Sequence, residues 1–287
     1  MALRVRQSVF IVPAIVEIAR RRGFLMAADL DLTNSAIASS QAQWDKLATG
    51  RADIAITSAD NLFAWNAAGS DIAVIAQIES TTQLVLMTGP HVASLRDLDV
   101  VRLAVDAPGN GFAVVAYAMM ARLACDYKVV PVGGVRERFA ALQNGAVDAT
   151  LLAPPLDECG EELGMSAVMR ITDLAPSYPG LAVVASRARL DAALAAVAAY
   201  LSSLNAANTW MRSVGGDEVS RELADMGFGS SAATAVLNSL PSTLLPSITG
   251  LELLQQMRAE CGMTIEGAPE AADLLDLRPL AAAGLSC

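Results

Sequence analysis

Lysine and histidine are nearly absent from this chain of 287 residues: Lys46, Lys128 and His91 are the only ones. The 20 Lys and Arg are outnumbered by 30 Asp and Glu, for a formal charge of -10. A surface for nucleic acid needs clustered basic residues to displace counterions, so no nucleic-acid partner is expected. The densest basic run, Arg20 to Arg22, falls at a helix end, where it complements the dipole. Cysteine is sparse as well. Cys125, Cys159, Cys261 and Cys287 lie far apart without a C-x-x-C pair, which argues against a zinc site and leaves them as buried or incidental thiols. A chain of this size does not need disulfide staples, so they do not fix a compartment.

Long hydrophobic runs are also missing. No segment approaches the eighteen or so uncharged apolar residues of a spanning helix, and the Ala-rich run from Leu190 to Trp210 is interrupted by Asp191, Ser202, Ser203 and Asn205. No membrane insertion is therefore expected. Arg4 and Arg6 ahead of VFIVPAIV resemble the start of an export leader, but the apolar run is short, contains Pro13 and ends at Glu17. It reads as mature structure, which fits a cytoplasmic protein or an extracytoplasmic one whose leader has been removed.

What the chain has is apolar material, 54% of its residues, enough for one large domain or two lobes. Strand and helix patterns alternate. LRVRQSVF, DLDLTNSAI, ADIAIT and IAVIAQI read as strands, separated by helices in PAIVEIARRRG (Pro13 at the first helical position), SSQAQWDKLATG and NLFAWNAAG. A second series follows residue 87: LVLMT, a capped turn in SLRDL, RLAVDA, YKVVPVGG, a helix in VRERFAALQNG, VDATLLA, a helix in LDECGEELG, MRITDL as loop or edge strand, and LAVVAS. From Ala188 onward only helices are expected, at 188–213, 217–226, 232–240, 250–261 and 270–276. The expected fold is α/β with two lobes, each a mainly parallel sheet flanked by helices, plus a helical C-terminal tail. The lobes would comprise residues 1–86 with 182–287, and residues 87–181, with a cleft between them.

The stretch VDAPGNGFAVVAYAMMARL carries Gly109, Asn110 and Gly111 between a strand and a helix, as a dinucleotide fingerprint does. The third glycine is missing, since Val114 stands in its place. An ordinary tight turn and a ligand loop remain open on this segment alone. The pattern L-x-x-G-x-x-D occurs twice, at Leu47, Gly50 and Asp53 and at Leu142, Gly145 and Asp148. There a helix stops at glycine and the acid can accept backbone hydrogen bonds before the next strand, a scaffolding role.

GRADIAITSADN (50–61), SLRDLDVVRLAVDAPGNGF (94–112) and ALQNGAVDATLLAPP (141–155) resemble recurring segments of type 2 periplasmic binding proteins. The similarity is to the branch of nitrate/sulfonate/bicarbonate and thiamine-pyrimidine (THI5-like) substrate-binding proteins, over residues 3 to 215. The resemblance implies a type 2 two-lobed fold and a ligand held at strand ends and at a helix N-terminus with free backbone N–H groups.

On that reading the ligand-binding candidates are Asn110, Gly111 and Phe112 in the opening loop and Ser58 and Asp60 in SADN. Pro154, with the backbone at Ala153, joins them from the loop after VDATLLA. The first lobe adds Ser8, Phe10, Ser39, Ser40, Gln41 and Trp44, and the crossings add Thr81, Thr82 and Tyr178. Phe112 and Trp44 equally suit packing, and Trp65 and Trp210 read as packing residues. Met119 and Met120 read as core, His91 as an exposed loop residue, and Asp157 with Glu158 as acids at a helix start.

The implied function is capture of a small organic solute, planar or amine-bearing and pyrimidine-like, for an ABC-type importer with its permease as partner. Such a protein would work as a monomer, without metal or cofactor. The alternative is an enzyme of cofactor biosynthesis or catabolism on the same fold, although no nucleophile elbow, Cys-rich motif or lysine base in a cleft loop is found. A regulatory effector domain is a third class, here without a preceding helix-turn-helix.

Overall fold

A computed structural model describes residues 2–285, and Cys287 lies outside the described residues. The first series runs β1 (Leu3–Val9), α1 (Ala14–Arg21), the single turn α2 (Phe24–Ala27), β2 (Leu30–Ala36), α3 (Ser40–Ala48), β3 (Ile54–Thr57), α4 (Asn61–Ala67) and β4 (Ile72–Gln77). Residues 78–84 cross to β5 (Val85–Thr88), a 3-10 turn at Leu95–Asp97, β6 (Val101–Val105), α5 (Gly111–Leu123), β7 (Tyr127–Pro131), α6 (Val135–Gln143), β8 (Ala149–Leu152), α7 (Leu156–Glu162), β9 (Ser166–Arg170) and α8 (Ile171–Leu174). Residues 175–181 return the chain to β10 (Ala182–Ser186). The tail then forms α9 (Arg187–Ser213), α10 (Gly216–Ala224), α11 (Ser230–Asn238), α12 (Ile248–Glu260), a 3-10 turn at Ala271–Leu274 and α13 (Arg278–Ala282).

Two five-stranded sheets result, with orders β2-β1-β3-β10-β4 and β7-β6-β8-β5-β9. The second repeats the first. In each, three strands pair in parallel, and the strand that enters directly from a crossing, β10 or β5, lies antiparallel to both of its neighbours. Four strands of each sheet thus share one direction, and the reversed fifth makes the sheet mixed. Because β4 and β9 leave their sheets at the carboxyl edge and β5 and β10 enter at that edge, both crossings join carboxyl edge to carboxyl edge. Those edges, where open α/β sheets place ligands, face one another across the cleft.

The two glycine-and-aspartate motifs make matching joints. Gly50 and Gly145 end α3 and α6 at φ +69° and +76°, values that favour glycine. Asp53 accepts the Arg6 backbone N–H at 2.8 Å, and Asp148 accepts that of Arg102 at 2.7 Å. Each aspartate also holds the guanidinium of the same arginine, and in return its own N–H reaches that arginine's carbonyl. The guanidinium holds both carboxyl groups below the usual range against the opposing effect of burial. His91, on an exposed loop, adds a 3.3 Å contact to Asp148.

Several local expectations shift. Pro13 is the cap of α1 rather than its first residue. The edge strand β9 begins at Ser166, and its end turns into α8, where the Asp173 carboxylate accepts the Arg170 N–H. The segment at 270–276 is a 3-10 turn, and Leu275 bridges to Val74 beside it. The turns α2 and α13 have no counterpart in the sequence reading. The 27-residue α9 has the length and mean hydropathy (1.3) of a spanning helix, which corrects the expectation that no segment would approach one. Half of its apolar window is buried, with Val197, Leu201 and Leu204 in the first-lobe core beside α1 and β1. Met119 and Met120 are core residues.

Candidate functional site

Between the carboxyl edges lies a cavity of ≈180 Å³, below the roughly 300–1,000 Å³ of drug-sized sites and suited to a small molecule. Its walls are mostly apolar. Phe10, Ile11 and Val12 come from the loop after β1, Phe112 from α5, and Leu151 and Leu152 from β8. The tail closes one side with Phe228, Val236, Ser239 and Leu240. Among the described residues three charged side chains reach it: Glu79 from the first crossing, Asp106 after β6, and Arg138 from α6.

Asp106 and Arg138 form one polar end. Asp106 Oδ2 accepts the Asn110 amide at 2.7 Å and the Ser40 N–H, from the first lobe, at 3.1 Å. Its Oδ1 is buried without a partner among the described residues. Arg138, itself buried, donates through Nη1 to Thr150 Oγ1 (2.9 Å) and the Leu151 carbonyl (2.7 Å), and through Nε to the Gly133 carbonyl (3.3 Å). Its Nη2 has no acceptor among the described residues. Burial lowers this guanidinium to about 10, opposed by the charges of Asp106 and Glu137. That end therefore holds a carboxylate oxygen and a guanidinium nitrogen that have no partners among the described residues.

The opening loop is a junction of the lobes. Asn110 caps α5 by accepting the Ala113 N–H (2.8 Å), and the Gly111 N–H donates to Asn61 Oδ1 of the first lobe (3.0 Å). Asn61 is oriented by its own bond to Thr57 Oγ1. Of the backbone donors that the resemblance assigns to a ligand, the Gly111 N–H is thus taken by a first-lobe side chain and the Asn110 N–H by the Ala107 carbonyl. Gly111 is needed for close approach, since a Cβ there would lie 2.7 Å from Asp60 Cβ and 2.9 Å from Ser58 Oγ. Asp60 is fully buried and pairs with the guanidinium of Arg258 from α12, whose Nη2 also donates to the Gly109 carbonyl at 2.8 Å. Burial pushes the Asp60 carboxyl up, and Arg258 opposes it.

Of the residues expected at a ligand, the structure brings Phe10, Ser58, Asn110, Phe112 and Pro154 to the cavity wall, with Thr82 and Ala153. The others lie elsewhere. Ser8 is buried inside β1. Ser39 caps α3, Ser40 bridges the lobes through its N–H, and Gln41 is exposed beside Asp45. Trp44 packs at the core margin and donates to Ser70. Asp60 and Gly111 stand behind the wall in the interlobe junction, and Thr81 is in the crossing but off the cavity. Tyr178 is buried near Asp60 and Ser58, its hydroxyl pushed up by burial. Neither Asp157 nor Glu158 reaches the cavity; Glu158 instead accepts the Ala232 N–H at the start of α11.

Glu79, Asp106, Arg138 and the tail residues were not anticipated. Asp106 stood in the quoted loop, as the polar residue ending an apolar strand. Arg138 carried a subtler signal, because it occupies the i+3 position of the apolar face set by Val135 and Leu142.

Two sheets of this order, joined twice at opposed carboxyl edges over a buried cavity, are the type 2 periplasmic-binding-protein fold. The ligand binding component of an ABC-type import system from Staphylococcus aureus, with zinc bound, has this fold at TM-score 0.78 and 16% identity over 99% of this chain and 100% of that one. The alkanesulfonate-binding protein SsuA from Xanthomonas axonopodis pv. citri, bound to MOPS, gives 0.74 and 16% over 94% and 97%. The periplasmic nitrate-binding protein NrtA from Synechocystis PCC 6803 gives 0.73 and 14% over 99% and 89%. Among curated proteins none matches in sequence. The NMT1/THI5-like family model matches residues 13–213, and the chain belongs to that family.

Proposed function

We propose that this protein is the solute receptor of an ABC-type importer and holds a small organic ligand between its lobes. The observation that carries the reading is the pair of unpartnered polar groups at Arg138 and Asp106, set at one end of a mostly apolar interlobe cavity. An apolar enclosure with few placed polar groups is the usual form of a small-molecule site. The roles of the structural neighbours, in sulfonate, nitrate and other import systems, support the receptor role. They do not carry over the oxyanion, because the charge of Asp106 acts on Arg138, the one cation among the described lining residues. A planar solute whose edge carries both a donor and an acceptor, as a pyrimidine edge does, fits that pair.

Native mass spectrometry of the purified protein, followed by titration calorimetry with pyrimidines, amines, sulfonates and nitrate, tests the reading. The expected result is one retained small organic solute, rebound unchanged. Binding confined to nitrate and sulfonates would overturn the ligand assignment. Release of a chemically altered solute would overturn the receptor reading in favour of the enzyme alternative, for which the one specific observation is a carboxyl near neutrality in the cavity wall, Glu79.

A further inference from the structure

Glu79 stands at a second polar point, on the first crossing. Its Oε2 accepts the Leu181 N–H of the return crossing (3.3 Å) and the Thr82 hydroxyl (3.0 Å), whereas Oε1 has no partner among the described residues. The two crossings meet closely here: the Ile78 N–H donates to the Leu181 carbonyl (2.9 Å), and a Cβ on Gly180 would lie 2.4 Å from Glu79 Cβ. From the crossings and the tail, Ile78, Leu84, Leu181 and Leu240 line the same cavity, with Thr82, Gln83 and Ser239. Asp106 and Arg138 are the other charged side chains among the described residues that line the cavity, and neither pairs with Glu79. Burial alone pushes the Glu79 carboxyl up to about 7.

A carboxylate in an apolar wall is costly unless a proton or a cation neutralises it. At Glu79 the protein supplies two neutral hydrogen-bond donors and no basic side chain. We propose that Glu79 is the cation-recognising point of the cavity and that the ligand carries a small positive group, an ammonium or amidinium, on an apolar or planar body. This rests on the solute-receptor reading and names its ligand class. The assignment gives the Glu79 carboxylate, which no basic side chain among the described residues pairs with, its counter-charge in the ligand.

The test compares benzylamine, a monocation, with benzyl alcohol, its neutral counterpart of similar size, and with benzoate, on the full chain by calorimetry and thermal shift. In the wild type at pH 8, benzylamine is expected to bind at least about tenfold tighter than benzyl alcohol, the scale of one unit of charge preference, and benzoate weakest. Binding of benzylamine should weaken about tenfold between pH 8 and pH 6 as the carboxyl takes up a proton. Glu79→Gln keeps an oxygen to accept from Leu181 and Thr82, and should make benzylamine and benzyl alcohol equivalent. The pH series uses the wild type, so it decides even if that variant folds poorly. Equal binding of the two probes by the wild type, no binding of benzylamine at millimolar concentration, or a preference that survives in Glu79→Gln would each overturn the assignment. Chemical turnover of a retained solute bears on the receptor reading instead and leaves this comparison unaffected.

Discussion

Arg258, on the fourth helix after the return crossing, closes a bidentate buried contact on Asp60 at the end of a first-lobe strand. The same guanidinium donates to the Gly109 carbonyl in the second lobe, so one side chain from the tail ties both lobes. Removing one partner of such a pair strands the other charge away from water. Arg258→Met is expected to cost roughly 3–5 kcal/mol in urea unfolding, and Arg258→Met with Asp60→Leu clearly less. A double variant as unstable as the single one would contradict this.

Gly111→Ala would place a methyl against Asp60 and Ser58. The lobes would have to part there, with loss of the Asn61 bond to the Gly111 N–H. Weaker solute binding, by about tenfold or more for one lost buried bond with its misfit, should accompany a larger radius in small-angle scattering. Unchanged binding and radius would show that the junction does not control closure.

Asp53→Ala and Asp148→Ala remove equivalent joints. Each variant leaves a strand N–H and a guanidinium without their acceptor, at roughly 1–3 kcal/mol. Because the two joints lie in different sheets, the double variant should be additive within about 0.5 kcal/mol. Strong non-additivity in denaturant titrations would mean that the joints communicate.

Asp106→Asn and Arg138→Met should weaken solute binding by different routes. The first keeps the shape of the polar end but removes its charge, and the second removes the donor. Calorimetry with the retained solute should show at least about a tenfold loss for each, as expected for hydrogen bonds to charged groups. A wild-type affinity in both variants would exclude this end as the recognition point.

Glu79 also predicts a pH dependence of stability. Its carboxyl titrates at about 7 in the fold against the ordinary 4.5, so between these values the folded state binds the extra proton and stability falls as pH rises. The penalty is absent below about 4.5 and complete above about 7, and amounts to something on the order of 3 kcal/mol. Without solute, Glu79→Gln should therefore match the wild type near pH 4.5 and exceed it at pH 8. A stability difference that does not change with pH would rule this out.

Most of the fold was legible because it rests on local periodicity: apolar strands such as Ile72–Gln77 and glycine stops at Gly50 and Gly145. The candidate site was legible where strand-end loops form it, as at Phe10, Ser58, Asn110 and Phe112. It was not legible where a contact spans the chain. Nothing near Arg258 announces a partner 198 residues away, and nothing near Leu240 says that it walls a cavity. Asp60 and Gly111 were noticed for the right reason, their strand-end position, but the close fit of the lobes gives them to each other and to Arg258. Arg138 was passed over because a charged residue in an amphipathic helix is ordinarily a solvated one.

The tail's share in the cavity has a consequence for how such a protein can change. The sheets and crossings lie within residues 3–186, whereas Phe228, Val236, Ser239 and Leu240 line the cavity from beyond residue 213, where the family match ends. Replacing that segment would rebuild one wall while leaving the sheets and both aspartate joints in place, provided the carbonyl at position 239 that accepts from Ser80 of the first crossing is kept. The frame and the lock are separable, so a new solute can be accommodated by exchanging a helical hairpin.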